Sequence, residues 1–143
     1  MKYQKIEYKL VRESNPNYKS KTITRASDVF NFFNDLQDST KEKLFSVCLT
    51  CANEIACFDL VAMGSSDRST ADPKEIIKAA ILTNATGIIM VHNHPSGDPK
   101  PSDADTVITN IVKEACKIFQ IKLFDHVIIG NGKYFSYAEA GLI

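Results

Sequence analysis

The sequence predicts one α/β domain, a mixed β-sheet with helices packed against its faces. Strand-like runs alternate along the chain with segments whose apolar residues recur at helical spacing. Its 143 residues are enough for one domain with a real core. No repeat, low-complexity tract or linker-like stretch divides it.

Each element has its own signal. YQKIEYKLV, residues 3–11, alternates loosely and reads as a strand, and SNPNYKS after it is a loop by its Asn, Pro and Ser content. Ser27 is placed to cap a helix from Asp28 to about Gln37, with Val29, Phe30, Phe33 and Leu36 at helical spacing. That stripe suits packing on the core; a docking face for a partner is the other use for it. Glu42 to Gly64 reads as a β-hairpin in which LFSVCLT rises, CANE turns and IACFDLVAM returns. Asp72 and Pro73 supply an N-cap and a first-turn proline for a helix to about Thr83, burying Ile76, Ile77, Ala80 and Ile81. The apolar run Gly87 to Val91 is a buried strand. Beyond Ser102, a second amphipathic helix carries Val107, Ile108, Ile111, Val112, Ala115 and Ile118. IKLFDHVIIG is a further strand, Asn131-Gly132 a hairpin turn, and Tyr134 and Phe135 belong to the last strand.

Composition narrows the function classes. Seventeen basic and seventeen acidic residues cancel and are mixed along the chain, so net charge gives DNA binding no support. MKYQKIEYKLVRE has no continuous apolar stretch to act as a signal peptide, and no segment approaches membrane-spanning length. A cytoplasmic protein with reduced thiols at 48, 51, 57 and 116 is the expectation. Cys48-x-x-Cys51 with Cys57 invites a zinc reading. Residues three apart on a strand face opposite sides, however, and no second CxxC exists. These cysteines read as small core residues.

The chemistry concentrates in GIIMVHNHPSGDPKPSDADTVIT, Gly87 to Thr109. His92 and His94 stand two apart at the end of the apolar run, where strand geometry sends both imidazoles to one face. Pro95 ends regular pairing, and a loop with Gly97, Pro99 and Pro101 leads to Ser102 and the next helix. Asp105 lies in that helix's first turn, where its carboxylate can turn back toward the loop. Two His and one Asp leave one position open, the pattern of a catalytic rather than a structural zinc. Ser102-x-x-Asp105 also has the form of a capping box. A general base is needed as well, and Glu42, Glu54 and Glu75 all lie upstream; spacing does not choose among them. His126, beside Asp125, suits either support of a metal ligand from behind or structural packing.

His92-Asn93-His94-Pro95, a loop, then Ser102-x-x-Asp105 resembles the JAMM (MPN+/JAB) metallopeptidase motif. The longer HNHPSGDPKPSDAD is similar to the RadC branch of that superfamily, as are DPKEI with Asn84-Ala85 before it and DHVIIG after it. The resemblance covers Ser39 to Ile143, so residues 39–143 read as a JAMM core and residues 1–38 as a strand-and-helix extension. It implies the JAB fold, a cytidine-deaminase-like sandwich. It implies one zinc per chain on His92, His94 and Asp105, with Glu42 as general base and Ser102 as oxyanion stabiliser. The activity implied is hydrolysis of an amide or isopeptide bond in a peptide substrate the motif does not name. The alternative implied is a RadC-type accessory protein of DNA repair with little or no peptidase activity. Nothing in the first 40 residues resembles the helix-hairpin-helix region of longer RadC proteins. The P-C-x-x-C pattern of zinc deaminases is missing.

Overall fold

A computed structural model describes residues 4–7, 9, 11, 22–64 and 71–143. Among them, α1 (Ala26–Phe32) passes through a 3₁₀ turn (Asn34–Asp38) into the hairpin β1 (Glu42–Leu49) and β2 (Ile55–Gly64). Then come α2 (Pro73–Leu82), β3 (Gly87–Asn93), α3 (Asp103–Ile118), β4 (Lys122–Ile129) and β5 (Tyr134–Ser136). The sheet order is β2-β1-β3-β4-β5, with β3 and β4 parallel and every other pair antiparallel. This is the expected mixed sheet with flanking helices.

The central strand β3 is buried along its whole length, as a strand covered on both faces must be. Ile89 and Val91 face the side covered by α1 and the 3₁₀ turn, where they meet Val29, Phe33, Leu36, Val47 and Val127. Ile88 and Met90 face the side of α2 and α3, meeting Ile76, Ala80, Val112 and Cys116. The alternation therefore sends His92 to the α3 side. Asn93 points the other way, and there its amide ties off the start of β1. Its Oδ1 accepts from Lys43 N at 2.9 Å, and its Nδ2 donates to the Lys41 carbonyl at 3.1 Å.

Several expectations change in detail. Of the predicted strand 3–11, residues 4–7, 9 and 11 lie in no strand; residues 3, 8 and 10 and the loop 14–20 lie outside the described residues. Helix α1 begins at Ala26, before the expected Ser27 cap, because the Asp28 carboxylate reaches back to the N–H groups of Thr24 and Arg25 at 2.9 and 3.1 Å. It tightens into the 3₁₀ turn rather than running to Gln37. Asp72 and Pro73 open α2 as expected, with Lys74 N donating to Asp72 Oδ1 at 3.0 Å, but Ile81 is 46% exposed. In α3, Val107, Ile111 and Ile118 face solvent, and the inward face is Asp105, Thr109, Val112 and Cys116. Cys48 is buried and Cys51 exposed in the turn, so the CxxC pair does not converge.

Asp125 anchors the short β5 end of the sheet. Burial pushes its carboxyl up, against three donors: Ser136 Oγ (2.6 Å), Ala138 N (2.9 Å) and His126 N (2.7 Å). An amide in its place removes the charge that strengthens these bonds and takes away the acceptor of the Ser136 hydroxyl proton, which must turn elsewhere. Asp125→Asn is therefore expected to lower unfolding free energy by about 1–3 kcal/mol. A urea midpoint unchanged from wild type would show that these bonds contribute nothing.

Candidate metal centre

The site forms where the carboxyl end of β3 meets the amino end of α3. His92 is the penultimate residue of β3, and His94 follows directly, its N–H donating to the Ile129 carbonyl at 3.0 Å. The loop carrying His94 rests on Gly130, where an added Cβ would stand 2.5 Å from the Gly97 carbonyl oxygen. Ser102 caps α3: its hydroxyl accepts from Asp105 N at 3.1 Å, and its own N–H donates to Asp105 Oδ2 at 2.7 Å. This capping box fixes the Asp105 carboxylate at the helix start.

His92, His94 and Asp105 converge as the spacing predicts, and among the described residues they form the only such group able to hold a metal. The two Nε2 atoms are 2.9 Å apart. Asp105 Oδ1 lies 3.2 Å from His92 Nε2, and Oδ2 lies 3.4 Å from His94 Nε2. Tetrahedral zinc bonded at about 2.0–2.1 Å would space its ligand atoms by about 3.3 Å. The cluster therefore has the size a zinc ion requires.

Hydrogen bonds behind the cluster decide which nitrogen of each ring is free. Thr109 has one hydroxyl proton, and it goes to the Asp105 carbonyl at 2.5 Å, since a carbonyl can only accept. His126 Nδ1, 2.6 Å from the Thr109 hydroxyl oxygen, must then be the donor to it. Burial holds the pKa of His126 well below its ordinary value, so the ring is neutral and its Nε2 is an acceptor. His92 Nδ1, 2.8 Å away, donates to that Nε2. What remains on His92 is a lone pair at Nε2, aimed into the cluster. His94 is fixed in the same way, its Nδ1 donating to the Asp98 carbonyl at 2.8 Å. Two nitrogen lone pairs and a carboxylate then face one another, an arrangement that repels unless a proton or a cation is shared among them. Hydrogen bonding to Asp105 raises the His94 pKa against the opposing effect of burial. Burial works to raise the Asp105 carboxyl too, yet the imidazoles of His92 and His94 beside it and the Ser102 hydroxyl that donates to it outweigh burial and leave it well below the usual range.

Glu42, the first residue of β1, joins the site from the side. Leu44 pairs with His92, so two residues back along the antiparallel strand Glu42 comes opposite His94 and on the same face. Its charge reaches His94 and helps raise that pKa. Glu54 sits in the hairpin turn, at the other end of β1, and Glu75 is bonded to Lys78 on α2. Ser102 stands at the cluster's edge, its hydroxyl donating to Asp105 Oδ2 at 2.6 Å. A separate cavity of about 400 Å³, lined by Arg25, Leu49, Ile89, Phe124 and Glu139 among others, opens on the α1 side and contains none of these ligands.

Sequence reasoning missed Thr109 and Tyr137. Thr109 sits four residues after Asp105 and so on the same helical face, a signal available in the spacing. Tyr137 stacks on His126 with centroids 5.1 Å apart and planes 8° from parallel, and its hydroxyl bonds Thr106 at 3.0 Å. Only the fold brings it there.

Fold and cluster together define an α/β domain with a His-His-Asp group at a strand-to-helix junction that could hold a metal ion. The chain belongs to the RadC-like JAB domain family, which it matches over residues 23–142. That match begins upstream of Ser39, so α1 is within it. The chain is 43% identical over 122 residues to the UPF0758 protein CT0611 of Chlorobaculum tepidum, covering 85% of this chain and 55% of that protein. It is 35% identical over 122 residues to the UPF0758 protein Mbar_A2303 of Methanosarcina barkeri, covering 85% and 53%. The chain thus spans about half the length of these relatives. Among the described residues, no helix is long and apolar enough to cross a membrane.

Thr109→Val keeps the shape of the side chain but removes the acceptor that holds His126 in its tautomer. Loss of such support typically costs about 10- to 100-fold in metal affinity. A chelator competition titration is expected to show a loss in that range while the far-UV circular dichroism stays the same. Affinity equal to wild type would mean that the His92 tautomer does not depend on Thr109.

Proposed function

We propose that this domain is a zinc-dependent hydrolase of the JAMM type, cleaving amide or isopeptide bonds with one zinc per chain. The observation that carries the reading is the open three-ligand set whose two Nε2 lone pairs are fixed by His126 and the Asp98 carbonyl. Two imidazoles and a carboxylate suit zinc, and a three-residue set is the catalytic form of such a site. Zinc held there supplies Lewis acidity, lowering the pKa of a water to about 7 and polarising a carbonyl.

The remaining steps fall to the chain. Glu42 faces the cluster from β1, and its carboxylate is the proposed general base, taking a proton from the attacking water and returning it to the leaving amine. Ser102 is the proposed donor to the oxyanion. Its present bond to Asp105 Oδ2 keeps the hydroxyl at the cluster, and rotation about one side-chain bond would turn it toward a substrate oxygen. Capping and catalysis are compatible, because the backbone N–H of Ser102 holds Asp105 independently of the hydroxyl.

Metal analysis of protein purified without chelator tests the site first. About one zinc per chain is expected in wild type, with little in His92→Ala and Asp105→Ala. Iron in its place would point to oxidative chemistry. No uptake after added zinc would favour the DNA-associated accessory alternative.

Activity tests follow on a panel of peptide and isopeptide substrates. Glu42→Gln is expected to keep its zinc and lose turnover. Ser102→Ala separates two roles: an oxyanion donor gives a loss of about 100- to 1,000-fold in turnover. A cap alone gives about 1 kcal/mol of lost stability with turnover preserved.

A further inference from the structure

We propose that Cys48 and Cys57 form an oxidisable pair, with Cys57 the thiol that reacts first with a peroxide and Cys48 the one that closes a disulfide across the β1–β2 hairpin. The two residues are direct cross-strand partners in the antiparallel pairing. Both side chains lie on the α2 face, where Cys48 is part of the core and Cys57 packs against it. Side chains directly opposite on one face of an antiparallel pair have Cβ atoms about 4.5–5.5 Å apart, and a disulfide needs about 3.5–4.5 Å. The adjustment required is therefore about 1 Å. β2 is the edge strand and pairs only with β1 among the described strands, so it can move that far without breaking a second ladder.

The two thiols divide the work by their surroundings. Cys48 is fully buried, whereas Cys57 is half-buried and open to a small oxidant. The facing Cys48 thiol draws the Cys57 thiol down to about 7, while the same interaction and burial hold Cys48 far up. A partly accessible thiolate beside a resolving cysteine is the arrangement that oxidises selectively. Cys116 is the internal contrast, buried in the core with its thiol pushed up to about 11 by burial.

The reaction balances with hydrogen peroxide as oxidant. The Cys57 sulfur attacks one peroxide oxygen, the O–O bond breaks, and sulfenic acid and hydroxide form. Hydroxide takes the Cys48 proton to give the first water. The Cys48 thiolate then attacks the Cys57 sulfur, the S–S bond forms, and the S–O bond breaks; the departing hydroxide recovers from solvent the proton Cys57 lost on ionising and becomes the second water. Two electrons pass from the sulfurs to peroxide.

The full chain treated with a small excess of hydrogen peroxide at pH 7 tests this. Cleavage after Leu49 and Glu54 places Cys48, Cys51 and Cys57 on separate peptides. Mass spectrometry is expected to find the Cys48 and Cys57 peptides joined, and the link absent in both Cys48→Ser and Cys57→Ser. A thiol of pKa about 7 is about half ionised at pH 7, against about 3% for an ordinary cysteine. Lower basicity offsets about fourfold of that gain. In Cys48→Ser, where the serine hydroxyl still donates, a sulfenic-acid trap is expected to label Cys57 about fourfold faster than exposed Cys51. A link between Cys51 and Cys57, or labelling of Cys57 no faster than Cys51, would overturn the proposal. Cys57→Ser alone carries the bridging test if the buried Cys48→Ser substitution impairs folding.

Discussion

The site depends on a chain of hydrogen bonds that joins two strands to a helix and loops back to its first residue through the His92–Asp105 contact. It runs from His92 on β3 to His126 on β4, on to Thr109 on α3, and through the Asp105 carbonyl to a residue whose carboxylate faces His92 again. Every donor in it has one acceptor, so choosing the Thr109 proton fixes the tautomer of both rings. A histidine presents a usable lone pair only on the nitrogen left unprotonated, and here that choice is made by groups buried behind the site. Packing and chemistry are coupled at this point: shifting α3 along the sheet would break the loop and reorient the ligand together.

The loop explains an otherwise unfavourable feature of the core. His92, Asp105, Thr109 and His126 are all buried, and burying polar groups costs free energy unless each is paired. They are paired with one another, and none of the buried side-chain polar atoms described lacks a partner. An apolar replacement for the inner members would pack at least as well, so stability alone does not account for them. Tyr137 completes the arrangement by stacking on the neutral ring of His126, a contact suited to an uncharged imidazole.

The sequence revealed the strands from Glu42 onward, the α2 cap, the hairpin and the converging trio because each is written locally. His92 and His94 are two apart on a strand, and Asp105 is three after a capping serine. The orientation of α3 was not legible in the same way. Its apolar stripe, counted from Val107, Ile108 and Ile111, points partly to solvent, because the inward face carries Asp105 and Thr109. A reading that counts only apolar residues turns such a helix the wrong way, and it does so because polar residues are buried for the site. His126 stayed ambiguous for a related reason: its role depends on the lateral pairing of β4 with β3, which no local pattern encodes. The start of α1 was misplaced because a capping carboxylate three residues inside the helix outweighed the nearer serine.

Mixed strand direction is what allows one sheet to assemble this constellation. The parallel pairing of β3 with β4 requires a crossover, and the crossover is α3, whose first turn therefore begins just beyond the histidines. The antiparallel pairing of β1 with β3 does the reverse, bringing the start of β1, and with it Glu42, to the end of β3. In an all-parallel sheet the first residue of β1 would lie at the far end of β3, about 20 Å from the ligands at the usual strand rise. The same antiparallel hairpin leaves β2 at the sheet edge and sets Cys57 opposite Cys48, at the turn end away from Glu42. A covalent link there would tie the hairpin together while leaving the register that presents Glu42 unchanged. The topology thus separates Cys48 and Cys57, toward the turn of the hairpin, from the end of β1 that faces the His92-His94-Asp105 cluster.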